Sequence, residues 1–355
     1  MTPRRFPRSL LIACVMLGIL SSGSIAPAAA CACGVAIPPA QTKIAVDAER
    51  AILHYDGTQE TIMMRLTMAS DGAETALVVP TPQPATVTAG SKDAFDELDA
   101  MAEPKVVGRK KWWPEAGDGV GSAPMESAPK VLDTVRLGPL QATTLAADDA
   151  AGLRRWLQDN RYPLDPAVAE GLDEYVADGW AFVAMKISAD AALDGEIDPV
   201  VLTFSSDQLV YPMRLSKAAK VDQRVRNYVI AEHRVDREDA EMGTGVYGEP
   251  TVAWAGTVDA GSVHDAQLKK LVGETAFVTV IDTAYNDPAE QITDDYRYVQ
   301  APRDEPYQVV NYVDEPVKIL GVYAGPFLTG LGVLLVITIV VVIAARLLGR
   351  RHRAT

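Results

Sequence analysis

Cysteine and histidine are scarce in this chain of 355 residues, and each scarcity narrows what it can be. Of the three cysteines, Cys14 falls in an N-terminal leader, which leaves Cys31 and Cys33 for all that follows. Two neighbouring thiols cannot staple a domain running from residue 31 to 318, so that domain must hold itself together by burial. His54, His233 and His264 stand far apart, with no H-E-x-x-H pair among them. A Walker A loop, a G-x-S-x-G elbow, a G-x-G-x-x-G turn and a D-x-[DN]-x-[DN]-G calcium loop are all missing. Gly243-Thr244-Gly245 opens like a dinucleotide loop, but no helix with a third glycine follows, so it reads as a turn. These absences argue against the common catalytic and nucleotide-binding designs and call for no cofactor and no metal.

Two apolar runs are present. Arg4, Arg5 and Arg8 precede Leu10–Leu20, and Ala28-Ala29-Ala30 follows, the layout of a secretory signal peptide over residues 1–30. The second run, Ile319–Ala345, carries no charge, and its inner part reads FLTGLGVLLVITIVVVIAA. As a helix over residues 321–345 it is long enough to cross the ~30 Å apolar core of a bilayer. Arg346, Arg350, Arg351 and Arg353 follow, so the positive-inside bias keeps residues 346–355 in the cytoplasm. The expected layout is an extracytoplasmic domain over 31–310, a juxtamembrane tether over 311–320, one spanning helix and a basic tail.

Charge sorts with that layout. All 47 Asp and Glu lie between the two apolar runs, facing 26 Lys and Arg. Such a domain is expected to repel nucleic acid and anionic lipid headgroups rather than bind them. The expected partners are the lipid bilayer and an envelope protein or glycan.

Three small features carry chemistry. Cys31 and Cys33 are read as a structural N-terminal disulfide, with an interchain bridge, a soft-metal pair and lipidation of Cys31 as the other readings. Trp112 and Trp113 either divide between core and surface, or stack on a sugar or touch the membrane interface. Gly321 and Gly325, four apart at the outer end of the apolar run, suggest self-association through a G-x-x-x-G helix face.

Residues 49–80 alternate around Asp56-Gly57 and Asp71-Gly72, the pattern of a β-meander. Helices are expected at 91–101, 148–160, 166–178 and 264–272, and 105–130 reads as a loop. Strands are expected at WAFVAMKIS, PVVLTFSS, YPMRLS, RVRNYVIAEHRV, AFVTVIDTAY and DYRYVQAP. The fold class is therefore α+β, an antiparallel-sheet-rich domain with a few inserted helices, plus one C-terminal transmembrane helix.

With CACG at 31–34, AERAILHYDGT, ALVVPTPQPATV, WLQDNRY, YVADGWAFVAMKIS, YPMRLS and ITDDYRYV in this order, the chain resembles the bacterial DUF2330 family of exported and membrane-tethered proteins. The resemblance spans roughly residues 31–310 and implies no established activity or catalytic residue. Many members carry further glycines or a third cysteine near the opening, which this chain lacks. The expected function is that of a single-pass envelope protein presenting a non-catalytic binding or structural module. The alternative is an envelope enzyme, either a carboxylate-based hydrolase or a thiol–disulfide protein using Cys31 and Cys33.

Overall fold

The computed structural model describes residues 29–31, 34–39, 42–114, 141–145, 150–188, 194–243 and 245–351. The chain opens with β1 (Ala29–Cys31), β2 (Gly34–Ile37), β3 (Ile44–Tyr55), β4 (Gln59–Ser70), β5 (Glu74–Thr81), β6 (Thr86–Ala89) and α1 (Lys92–Ala102). Then come β7 (Lys105–Lys111), β8 (Gln141–Leu145), α2 (Ala150–Asp159), α3 (Pro166–Ala177), β9 (Ala181–Ser188), β10 (Asp194–Glu196) and β11 (Val200–Ser205). β12 (Val210–Tyr211), β13 (Gln223–Ala231), β14 (Val235–Arg237), β15 (Thr251–Asp259), α4 (Ala266–Val272), β16 (Thr275–Tyr285), α5 (Pro288–Gln291) and β17 (Tyr296–Gln300) follow. The last are β18 (Tyr307–Gln308), β19 (Val310–Pro316), β20 (Lys318–Ile319), β21 (Val322–Tyr323) and α6 (Ala324–Arg351). They divide into two compact units, residues 1–99 with 131–306 and residues 100–130 with 307–355.

In the first unit β3 and β4 form the expected hairpin across Asp56-Gly57. They lie inside a large sheet in the order β15-β16-β13-β3-β4-β11-β6, with β10 also on β4 and β13 parallel to β3. A smaller sheet runs β1-β2-β5-β9-β8. The meander expectation is corrected at Asp71-Gly72. β5 pairs with β2 and β9 rather than with β4, so this turn carries the chain from one sheet to the other. The reason is visible in the sequence of β5, ALVVP, which is apolar on both faces and suits a strand covered on both sides.

Leu77 and Val79 of β5 join Leu53, Ile62, Met64, Met185 and Val229 in the core between the sheets. Ala76 and Val78, one residue out of phase, face Leu153 and Leu157 of α2 and Val168 and Leu172 of α3. The smaller sheet is thus the middle of three layers. Burial of each such side chain contributes on the order of 1.5–3 kcal/mol. Asp165 caps α3 by accepting from the Ala167 N–H at 2.8 Å, and Pro166 starts the helix where a missing N–H costs nothing.

Charges hold the remaining joints. Beneath α1, Arg226 makes two 2.7 Å bonds to Asp282, while Arg50, Arg226 and Tyr228 all reach Asp99. Glu196 pairs with both Arg50 and Arg65. Elsewhere the buried Asp295 accepts from the Met213 N–H at 2.7 Å, the Arg214 Nε–H at 2.9 Å and the Tyr175 hydroxyl. The Arg214 guanidinium lies 4.0 Å from the Tyr175 ring centroid. This knot joins three segments on which the family resemblance rests, YVADGW, YPMRLS and ITDDYRYV. The expected strand at YPMRLS is accordingly short, Val210–Tyr211, and passes into a 3-10 turn over Arg214–Ala218 that presents Arg214 to Asp295.

The second unit corrects two expectations. Residues 105–111, read as loop, form β7, and the tether contains β19; the two pair in parallel from Lys105 opposite Val310 to Lys111 opposite Pro316. Val106, Val107, Val310, Tyr312 and Val313 supply strand-favouring side chains in register, and Asp314 holds Arg109 at 2.9 Å and Lys111 at 3.3 Å. β20 and β21 then form a hairpin whose two loop residues, Leu320 and Gly321, both have positive φ, 52° and 84°. That is the requirement of a type I′ turn. α6 begins only at Ala324, three residues later than expected, because this turn occupies residues 320–321.

Replacing Asp295 by Ala leaves the Met213 N–H and the Arg214 Nε–H without their acceptor, while Asp178 still holds Arg214 Nη1 at 2.6 Å. Chemical unfolding should show a loss of about 3–5 kcal/mol. Arg154→Ala, which breaks an exposed pair with Asp173, should cost under about 1 kcal/mol. Equal costs for the two substitutions would contradict a structural role for the knot.

Candidate functional site

Strand register on the outer face of the large sheet brings unlike segments into one row. Thr86 of β6 lies opposite Thr203 of β11, Thr203 opposite Thr61 of β4, and Thr61 opposite His54 of β3. Adjacent strands are ~4.8 Å apart, so the row is about 14 Å long. Met63 and Val201, two residues along their strands and buried, make an apolar floor beside it. Gln267, Lys270 and Leu271 of α4 form one wall, and the enclosed cleft holds about 660 Å³.

A second cleft of about 620 Å³ shares His54, Asp56 and Leu271 with the first and continues to Glu232, His233 and Tyr298. His54 Nδ1 lies 3.1 Å from the Ile230 carbonyl. Since a carbonyl only accepts, Nδ1 carries a proton there, which leaves Nε2 for the cleft side of the ring's hydrogen bonding. Asp56 Oδ1 accepts the N–H groups of Gln59 and Thr58 at 2.8 and 2.9 Å and the Thr58 hydroxyl at 2.9 Å. The Gln59 and Thr58 bonds hold its carboxyl below the usual range, so it is a fixed anion that stabilises the turn. Two of the three scattered histidines therefore meet one cleft. His264 does not line either cleft and is largely exposed near Glu97.

Chemically, the first cleft offers hydroxyls, amides, one imidazole, the Asp56 carboxylate and the Lys270 ammonium over an apolar floor. That suits a ligand carrying hydroxyl or amide groups. Among the described residues, no three His, Cys, Asp or Glu side chains are grouped to hold a metal ion. Sequence reasoning missed the clefts because the threonines sit on separate strands. The signal that could have found them is the period-two placement of Thr86 with Thr88 and of Thr61 with Met63.

The features singled out in the sequence lie elsewhere. Cys31 ends β1 opposite Gly34, and Cys33 lies outside the described residues, as do the leader through residue 28 and Arg353. Trp112 and Trp113 are both exposed, 47% and 56%, so neither plugs the core. Gly321 sits in the β20–β21 turn rather than on α6, so it and Gly325 share no helix face. A side chain at Gly325 would collide with the Trp113 ring, its Cβ falling 2.5 Å from Cε2. The glycine spacing belongs to this local packing. Arg346, Arg350 and Arg351 fall within the last turns of α6.

At the rim of the second cleft, His233 Nδ1 meets Asp304 Oδ2 at 2.8 Å, and Asp304 Oδ1 accepts the Arg234 N–H at 2.9 Å. The Asp304 bond raises the His233 pKa above its ordinary 6.5, and His233 lowers that of Asp304 below 3.8. The His233 contribution is full below pH 6.5 and is lost as pH rises through the raised value; that of Asp304 is lost as pH falls through the lowered one. The strap is tightest in weak acid. NMR titration of the His233 ring should give a midpoint above 6.5 that returns toward 6.5 in Asp304→Asn. An unchanged midpoint would contradict the pairing.

Comparison with curated proteins gives no match. The crystal structure of baculovirus P35 is similar at 8% identity over 73% of this chain and 98% of that chain, with a TM-score of 0.35, too weak a likeness to carry an argument. A family model described as an uncharacterized protein conserved in bacteria covers residues 27–299, most of the first unit. By that match the chain belongs to the bacterial DUF2330 family.

Proposed function

We propose that the chain is a single-pass envelope protein. α6 spans the membrane, the residues from Arg346 onward stay in the cytoplasm, and the first unit is presented on the far side as a non-catalytic binding module. The anchor is supported by the stretch Ala324–Arg346, a helix long and apolar enough to cross a membrane, with large apolar side chains exposed along it from Leu328 to Ile343. Its two threonines turn their hydroxyls back on the helix, Thr329 to the Gly325 carbonyl at 2.7 Å and Thr338 to the Leu334 carbonyl at 2.8 Å. Neither hydroxyl is then left open to lipid. The orientation is supported by Arg346, Arg350, Arg351 and Arg353 at one end and by the acids, all 47 of them, at the other.

Binding rather than catalysis is supported by where the charges go. The acids and bases drawn together in the first unit pair off beneath α1 and around Asp295, where they fasten elements to each other. The cleft keeps its hydroxyls and amides beside two charges, those of Asp56 and Lys270. The observation that carries the binding reading is the row Thr86–Thr203–Thr61–His54 beside its cleft. Its ligand is a glycan or peptide segment of the envelope.

The test is capture from envelope extracts by the full-length protein in detergent. Thr203→Arg fills the middle of the row with charge and bulk on a partly exposed position. It should weaken capture of the bound glycan or peptide by about tenfold, a change of ~1.4 kcal/mol, with an unchanged melting temperature. Equal capture by both proteins would contradict the assignment of this cleft.

A further inference from the structure

The segment that enters α6 is built from side chains that water does not favour. Leu320 is 87% exposed at the tip of the β20–β21 turn. It also holds a left-handed φ of 52°, which a residue other than glycine adopts at a cost. Trp112 and Trp113 are exposed beside the first turn of the helix: the Gly325 N–H donates to the Trp112 carbonyl at 2.9 Å, and the Trp113 indole covers the Gly325 Cα. The Lys318 ammonium stands 5.7 Å from the centroid of the Tyr323 ring.

Charge in this segment runs against that of the whole chain. Residues 101–114 hold Lys105, Arg109, Lys110 and Lys111 against a single acid, Glu103. Arg109 and Lys111 are engaged by Asp314, whereas Lys110 lies on the opposite face of β7, exposed and across the ladder from Glu315, two residues before Trp112. Two tryptophans, a tyrosine, an exposed apolar tip and lysines around the entry to an apolar helix match the layered chemistry of a membrane interface, apolar below and phosphate above.

We propose that this collar is a phospholipid-headgroup site, in which Trp112, Trp113 and Leu320 sit in the interfacial layer of the bilayer while Lys110 and Lys318 face the phosphates of anionic lipids. The inference rests on the reading of α6 as a spanning helix and adds what its entry segment contacts. The acidic charge of the chain does not prevent it. Repulsion beyond a Debye length of ~8 Å is screened at physiological salt, whereas lysines at the surface act within that distance.

The experiment reconstitutes full-length protein in phosphatidylcholine vesicles brominated on the upper acyl chain, with and without phosphatidylglycerol. Tryptophan emission of the wild type should be quenched, and the quenched component should be lost in Trp112→Phe/Trp113→Phe. Phosphatidylglycerol should deepen the quenching, and Lys110→Glu/Lys318→Glu should abolish that increment. Alkaline extraction of the same vesicles reports on the anchor separately. A chain that washes out overturns the spanning reading and this proposal with it. A chain that stays inserted but quenches no more than its double-Phe variant overturns the collar alone. An increment that survives in the lysine variant overturns the anionic-lipid assignment.

Discussion

The first turn of any helix presents N–H groups that its own carbonyls cannot reach, and in an apolar solvent each one left open costs several kcal/mol. α6 meets that constraint with backbone from the second unit. The Ala324 N–H donates to the Val317 carbonyl at 2.8 Å and the Gly325 N–H to the Trp112 carbonyl at 2.9 Å. Val317 in turn donates to the Lys111 carbonyl at 2.9 Å. The helix is therefore continuous, through hydrogen bonds, with the paired strands β7 and β19. This explains why residues 105–111, far from the helix in sequence, form a strand, and why the tryptophans that follow them stand at its entry. Within the second unit the geometry of the anchor and that of the ribbon depend on the same few bonds.

The first unit obeys a different economy. Its middle sheet is apolar on both faces and is covered on both, so the alternation of β5 and β9 divides their side chains between two cores. Ionisable groups are retained inside as mutually satisfied sets, around Asp295 and beneath α1. A lone buried charge would destabilise by several kcal/mol, and sets of this kind avoid it while fixing which elements meet. The binding role proposed for this unit falls to the outer rank of hydroxyls and the clefts around His54.

The sequence made much of this legible. The hairpin at Asp56-Gly57, the capped helix starting at Pro166, the helix ending in Val272 and the strands β9, β11 and β16 all appear where patterning places them. β15 escaped notice because a bulge between Val252 and Trp254 shifts its phase and its first four residues are all half-buried, so the period-two signal is blurred. RVRNYVIAEHRV reads as one strand, yet its pairing in the large sheet ends at Ala231, and Val235 opens β14, which pairs with β17 in a separate sheet. Gly321 and Gly325 show how spacing misleads when an element's start is misplaced, since four residues apart means one helix face only inside the helix. The clefts were invisible for a plainer reason. Thr61, Thr86 and Thr203 are brought together by register across strands, and a single sequence does not carry that information.

The proposed arrangement is a sheet-rich unit held outside the membrane by α6. Protease added to intact protoplasts tests it most directly. The arrangement predicts complete digestion of the first unit and survival of a helix-sized fragment that includes Ala324–Arg346. Full protection of the chain, with cleavage only after lysis, would contradict it.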